Sequence, residues 1–326
     1  MIPTETEFFL IAEAGILESQ ALLLCQSIRQ FAGGYQYAPI TVVSPRPDRR
    51  PSIDTQRKLA ELQVDYLELD IASPCPDYGT SFRVLAAAYL ERRAGPDVLI
   101  QLDSDTLFVA EPDFSLPGAV GAARPVDVKG MCTDGPGDPF DPYWLDLCRL
   151  CGVDYERLPW VTTTVDRKTV RASYNGGLVA ARRSDGLFAK TEEFFLKLVR
   201  AGLKPWAGYG LNVKSGVGMV GLSGSEYWGS SQAALSLAFT DHGGPVRILT
   251  DAYNIPLHSF EHLPPRQTTP IHLHYHWLCS EGELSNNPML DGRLTLPEPV
   301  AQWLKRNLPL SLPTPGNLEL KNAAGA

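Results

Sequence analysis

The chain has 326 residues, 44% hydrophobic, 20% charged and 9% aromatic, which is globular composition with enough apolar mass for a sizeable core. Its 37 acidic residues against 29 Lys and Arg give a net charge of -8, which excludes non-specific nucleic-acid binding through a basic surface. There is no run of about 18 apolar residues to cross a membrane, and the acidic opening with Glu5 and Glu7 is unlike a signal peptide, so a cytoplasmic protein with its six cysteines reduced is expected.

In chain order, residues 8–12 read as a buried strand and 17–31 as a helix stopped by Gly33-Gly34. Residues 39–43 form a second predicted strand, 55–62 a short helix and 64–69 a third strand. A helix over 81–93 is halted by Gly95-Pro96, and the apolar run 98–102 is a strand that stops at Asp103-Ser104-Asp105. Strands alternating with helices predict an α/β fold with a mainly parallel central sheet and helices on both faces. In such sheets ligands bind at the carboxyl ends of strands, where Asp103 and Asp105 fall.

Residues 127–166, rich in Gly, Pro and Asp, read as an irregular insert, either a lid or acceptor region or a plain surface excursion. Cys148-Arg149-Leu150-Cys151 lacks a second pair at zinc spacing and reads as two thiols on one helix face. A strand follows over 178–181, then a helix capped by Ser184 and running to about 200. Later elements are a helix over 230–239, a strand over 246–249, a strand over 271–278 that alternates histidine with other residues, and a helix over 298–307. The aperiodic segment 308–326 is expected to be a flexible tail, leaving 1–307 as a single domain.

Two acids one residue apart face the same side of an extended chain. Hard oxygen ligands suit Mg²⁺ or Mn²⁺, ions that commonly hold substrate phosphates as well. The bland alternative is an Asx turn at a strand end. His272, His274 and His276 alternate, so on a regular strand all three share a face.

The order of these segments resembles the GT-A glycosyltransferases, a Rossmann-like nucleotide-diphospho-sugar transferase fold, and most nearly glycosyltransferase family 8. Ser81-Phe82-Arg83 opens the helix that carries a phosphate- or sugar-contacting Arg in that family. Leu102-Asp103-Ser104-Asp105 resembles its Y-L-D-x-D strand, Tyr174-Asn175-Gly176-Gly177-Leu178 its F-N-[SA]-G-[VL] segment, and Ser231-Gln232-Ala233-Ala234-Leu235 its D-Q-x-x-L helix start, followed by Tyr253-Asn254. Ile271-His272-Leu273-His274-Tyr275 resembles its late I-x-H-[FY] strand, which supplies a metal-binding His. Where the family has an Asp-x-Tyr contact to the nucleotide base this chain has Ala12-Glu13-Ala14-Gly15, Ser231 replaces an acid, and the final G-x-x-K-P-W phosphate clamp is missing.

The resemblance implies a metal-dependent hexosyltransferase-like enzyme that moves a sugar from a nucleotide-diphospho-sugar, UDP-linked, to an acceptor that is a saccharide, small molecule, lipid or peptide. It implies Mn²⁺ or Mg²⁺ held by Asp103, Asp105 and His274, with His276 in reserve. Ala12, Glu13, Arg83, Ser104, Asn175 and Gly176 would line the donor site. Asn175 would hydrogen-bond sugar hydroxyls, or else serve as a turn residue before two glycines. Arg83 would neutralise diphosphate charge, or else pair with Glu91 on the helix surface. Gln232 would lie near the anomeric carbon. Family 8 retains anomeric configuration; an inverting enzyme needs a carboxylate base, for which Glu226 is the candidate, with a solvated loop residue as its plain alternative.

Two rivals remain at this point. Asp103-Ser104-Asp105-Thr106 also fits the D-x-D-x-T of haloacid-dehalogenase-like phosphatases, although that motif normally opens its domain. A non-catalytic sugar-nucleotide-binding GT-A protein is the other.

Overall fold

The computed structural model describes residues 5–171, 173–215, 218–264 and 268–312. The first half alternates as predicted: β1 (Thr6–Ile11), α1 (Ile16–Phe31), β2 (Ile40–Ser44), α2 (Ile53–Glu61), β3 (Asp65–Glu68), α3 (Thr80–Arg92) and β4 (Val98–Leu102). After it come β5 (Thr106–Phe108), β6 (Gly121–Pro125), α4 (Asp141–Cys151), the hairpin β7 (Trp160–Thr162) and β8 (Thr169–Arg171), β9 (Tyr174–Arg182) and α5 (Leu187–Arg200). The last third holds β10 (Lys214–Ser215), β11 (Gly218–Met219), α6 (Leu222–Ser225), α7 (Ser230–His242), β12 (Val246–Ile248), β13 (Ile255–Pro256), β14 (His272–His274) and α8 (Glu298–Asn307).

Seven strands make one sheet in the order β12-β6-β9-β4-β1-β2-β3. β9 alone is reversed, antiparallel to β4 on one side and to β6 on the other. Both faces are covered, because successive side chains of a strand point opposite ways. Phe8, Leu10 and Ile100 pack with Leu24 and Ile28 of α1 on one face. Phe9 and Leu99 pack with Val84 of α3, Phe195 of α5 and Leu237 of α7 on the other. Each such side chain contributes roughly 1.5–3 kcal/mol by leaving water. A second, three-stranded sheet, β13-β14-β5, lies over α1 and α8 and encloses its own cluster around Leu107, Leu273, Tyr275 and Trp303.

Several expectations need correction. The stretch 127–166 is not irregular throughout: it contains α4, whose Cys148 and Cys151 are both buried, and β7. Ser184 does not cap α5. It lies in a 3-10 turn, and Gly186 at φ 65 immediately precedes the helix. The cap comes from α3 instead: the Glu91 carboxylate accepts the Phe188 and Ala189 N–H groups at 3.0 and 2.7 Å, satisfying donors that a helix start leaves open. The strand expected over 271–278 ends at His274. Part of the predicted tail is packed, since Leu310 is buried and donates its N–H to the Cys279 carbonyl; residues 313–326 lie outside the described residues.

Candidate functional site

The carboxyl edge of β4 is the place to begin. β4 stops at Leu102, and Asp103–Asp105 form a turn into β5 rather than continuing as a strand. This turn is not an Asx turn: the Asp103 carboxylate is ion-paired with Arg83, while the turn is closed by Thr106 Oγ1 donating to the Asp103 backbone oxygen at 2.6 Å. Ser104 faces the other way and donates its hydroxyl to the Ile11 carbonyl of β1. Its hydroxyl is therefore engaged with the sheet.

β14 pairs antiparallel with β5, setting His274 opposite Thr106. That register puts His274 Nε2 at 3.2 Å from Asp105 Oδ1. Asp103, Asp105 and His274 each offer a ligand atom, and these atoms lie within 4.8 Å of one another. Two carboxylates and an imidazole at such spacing could hold a divalent metal ion. Burial by itself would raise the Asp105 carboxyl, but the neighbouring His274, with help from His276, holds it below the usual carboxylate range.

His276 does not stand on the strand. Its φ is +54°, and its ring stacks on His274 with centroids 3.8 Å apart and planes 9° from parallel. Its Nδ1 meets Nδ1 of His258 at 3.0 Å. Burial, then the nearby His274 and His258, push the His276 imidazole well below its usual range. His272 is wholly buried against Phe108, with neither ring nitrogen hydrogen-bonded, and burial lowers it strongly as well. The three histidines therefore have three different surroundings, and His276 departs from the other two because the chain leaves extended geometry after His274.

β9 forms the other wall. Its reversed direction brings Asn175, Gly176 and Gly177 to the carboxyl edge of β4. The Asn175 amide is fixed at both ends: Oδ1 accepts the Gly177 N–H at 2.8 Å, and Nδ2 donates to Asp127 Oδ2 at 3.1 Å. A Cβ on Gly176 would sit 2.5 Å from an Arg83 nitrogen, so this glycine makes room for the guanidinium. Arg83 is nearly buried and pairs with Asp103, not with Glu91.

Comparison with known proteins adds the family. A family model described as the Rhodobacterales glycosyltransferase domain matches residues 8–203. The chain belongs to this family. The matched region is accordingly a glycosyltransferase domain, a class whose members take a sugar donor and an acceptor. The match takes in Arg83, Asp103, Asp105 and Asn175, while Gln232 and His274 lie beyond it. The chain is also similar to the apo structure of the WbbM bifunctional glycosyltransferase, at 14% identity and a TM-score of 0.49 over 93% of this chain. It spans about half of that protein, 49% of its length. No curated protein gives a significant match. Among the described residues, no helix is long and apolar enough to cross a membrane.

The remaining predicted residues stand at known places in the fold. Glu13, at the end of β1, is paired through both carboxylate oxygens with Arg46, whose guanidinium lies 4.3 Å above the Phe82 ring. Ala12 is buried, its N–H bound to Val43 of β2 at 3.0 Å. Gln232 is half-buried in the first turn of α7, beside Ser231, which lines a small cavity with Arg83 and Gly176. Glu226 is not a free carboxylate: it takes Lys204 Nζ at 2.5 Å and the Gly208 N–H at 2.6 Å, and Lys204, then Gly208, hold it below the usual range.

Sequence reading passed over three groups, and met a fourth, Asn254, only as part of the Tyr253-Asn254 pair. Asp127 accepts from Asn175 and from Thr164. His258 meets His276. Arg124, 5% exposed, donates to the Tyr253 and Asn254 carbonyls. Asn254 itself, 1% exposed and at φ +45°, turns its side chain toward Gly177. The one signal available in the sequence was the Tyr253-Asn254 pair after the α7 segment.

Proposed function

We propose that this chain transfers a sugar from a UDP-linked donor to an acceptor with retention of anomeric configuration, in the manner of family 8. The observation that carries the reading is the convergence of Asp103, Asp105 and His274 from two different sheets on one point. These three residues would hold a divalent ion, Mn²⁺ before Mg²⁺ because an imidazole is among the donors. When bound, the ion supplies Lewis-acid stabilisation of charge on the leaving diphosphate.

The chain's own groups fit the rest. Asp103 and Asp105 are two carboxylates beside one paired guanidinium, Arg83, while Asp127, behind Asn175, is near the buried Arg124. A diphosphate reaching this edge without a cation would meet like charge. Arg83 fixes one oxygen of Asp103. Asn175, on β9, and Gln232, on α7, would face the donor sugar. Retention is supported by the state of Glu226, whose oxygens are already engaged by Lys204 and Gly208 and which is therefore a poor base. The six buried free thiols support a reducing, cytoplasmic working place.

Thermal unfolding of wild type and Asp105→Ala with UDP, GDP and ADP, each with and without Mn²⁺, tests the reading. A ligand at about a hundred times its dissociation constant stabilises by roughly 2.7 kcal/mol. The expected result is a shift with UDP plus Mn²⁺ that is lost in Asp105→Ala. A shift with GDP alone among the nucleotides would move the donor class; no shift with any of them would overturn the proposal.

A further inference from the structure

The space above the Gly177 Cα holds an electrostatic contradiction. A Cβ placed there would lie 3.1 Å from Asp103 Oδ2, 3.1 Å from Asn175 Oδ1 and 3.1 Å from Asn254 Oδ1. All three atoms are acceptors. Asn254 Oδ1 is buried without a hydrogen-bond partner, and a buried acceptor left unpaired beside a carboxylate is costly.

Asn175 has no freedom to resolve this. Its oxygen is taken by the Gly177 N–H and its nitrogen by Asp127. Asp103 has none either, since its other oxygen is held by Arg83. The Asn254 amide does: turned by half a rotation it keeps its shape and presents N–H groups where the oxygen stands. Its backbone is set up for this place. Asn tolerates positive φ better than most residues, and buried Arg124 pins the carbonyls on either side of the Asn254 Cα.

We propose that Asn254 is a positioning residue for Asp103. Its amide N–H clamps Asp103 Oδ2 from the side opposite Arg83, so that the carboxylate is held by one donor on each oxygen and presented to a divalent ion in a single orientation. This rests on the metal reading above. Donors behind a metal-binding carboxylate commonly change metal affinity by about 10–100-fold.

The test is Mn²⁺ binding to the whole chain, measured by titration of free Mn²⁺ in the absence of nucleotide, for wild type, Asn254→Gly and Asn254→Asp. Glycine removes the amide and accepts the positive φ; aspartate keeps the shape but removes the N–H. Both variants are expected to bind Mn²⁺ about tenfold or more weakly while unfolding cooperatively. If Asn254→Gly does not fold, the near-isosteric aspartate decides alone. Mn²⁺ binding by Asn254→Asp equal to or tighter than wild type overturns the proposal, because an oxygen would then serve as well as the N–H. So does an unchanged Asn254→Gly, and in both cases the metal reading stands. A wild type that binds no Mn²⁺ overturns both.

Discussion

The Asn175 wall and the His274 wall of the site are held in different ways. Asn175, Gly176 and Gly177 belong to a nine-residue strand hydrogen-bonded to β4 on one side and β6 on the other. His274 ends a three-residue strand whose neighbours, β13 and β5, are two and three residues long. The first wall shares the cooperativity of the main sheet. The second depends on a few local pairs, His274 opposite Thr106 above all. Damage to the second should therefore cost chemistry before it costs the fold, and damage beneath the first should cost both.

Asp105→Ala is the sharpest cut at the junction of the walls. Transfer should fall by about a thousandfold or more in kcat/KM, with cooperative unfolding retained; residual activity within tenfold of wild type would remove Asp105 from the site. Arg83→Leu strikes beneath the sheet wall. It strips a nearly buried cation from Asp103 and should lower stability by roughly 2 kcal/mol, below the usual cost of breaking a fully buried pair because Asp103 remains partly exposed. A urea midpoint unchanged from wild type would show that the pair is not structural.

The pH dependence separates the walls further. His272 has its imidazole lowered by burial, so the unfolded chain takes up a proton the folded chain refuses. Stability from this group is complete above about pH 6.5 and is lost as pH falls below it. Asp105, also held low, adds a loss that begins only below about pH 4. His272→Leu should flatten the Tm profile between about pH 7 and 5 and add about 1 kcal/mol by removing two unpaired buried nitrogens; an unchanged slope would place the proton uptake elsewhere. The smallest effect belongs to Glu226→Gln. With the carboxylate committed to Lys204 and Gly208, transfer should change by less than about threefold in kcat, well short of a lost general base, and a drop of orders of magnitude would restore it as one.

What the sequence made legible follows from locality. The alternation of apolar runs and helix stops located the first half of the sheet, and the strand over 98–102 and the helix over 298–307 agree with the structure at both ends. The two acids and His274 were visible because each sits in a recognisable short pattern. Asn254 showed only as half of the Tyr253-Asn254 pair, and Asp127 and Arg124 were not visible, since each is a single residue made functional by strands far apart in the chain. The same holds for Glu91, which caps α5 from α3 across nearly a hundred positions. His276 was misplaced for a different reason: alternation predicts a common face only while φ stays extended, and nothing local announced the positive φ.

The reversed strand β9 also governs how this chain can be assembled. Strands β3, β2, β1 and β4 can pair as soon as they are made, but the outer edge of β4 receives its partner only when residues 174–182 arrive. On a ribosome, a long stretch of synthesis passes with that apolar edge unpaired, a template for pairing with another chain. A fragment ending after β5 would carry the acidic pair and all of α3 yet keep this edge permanently open, and it should aggregate rather than bind ligand.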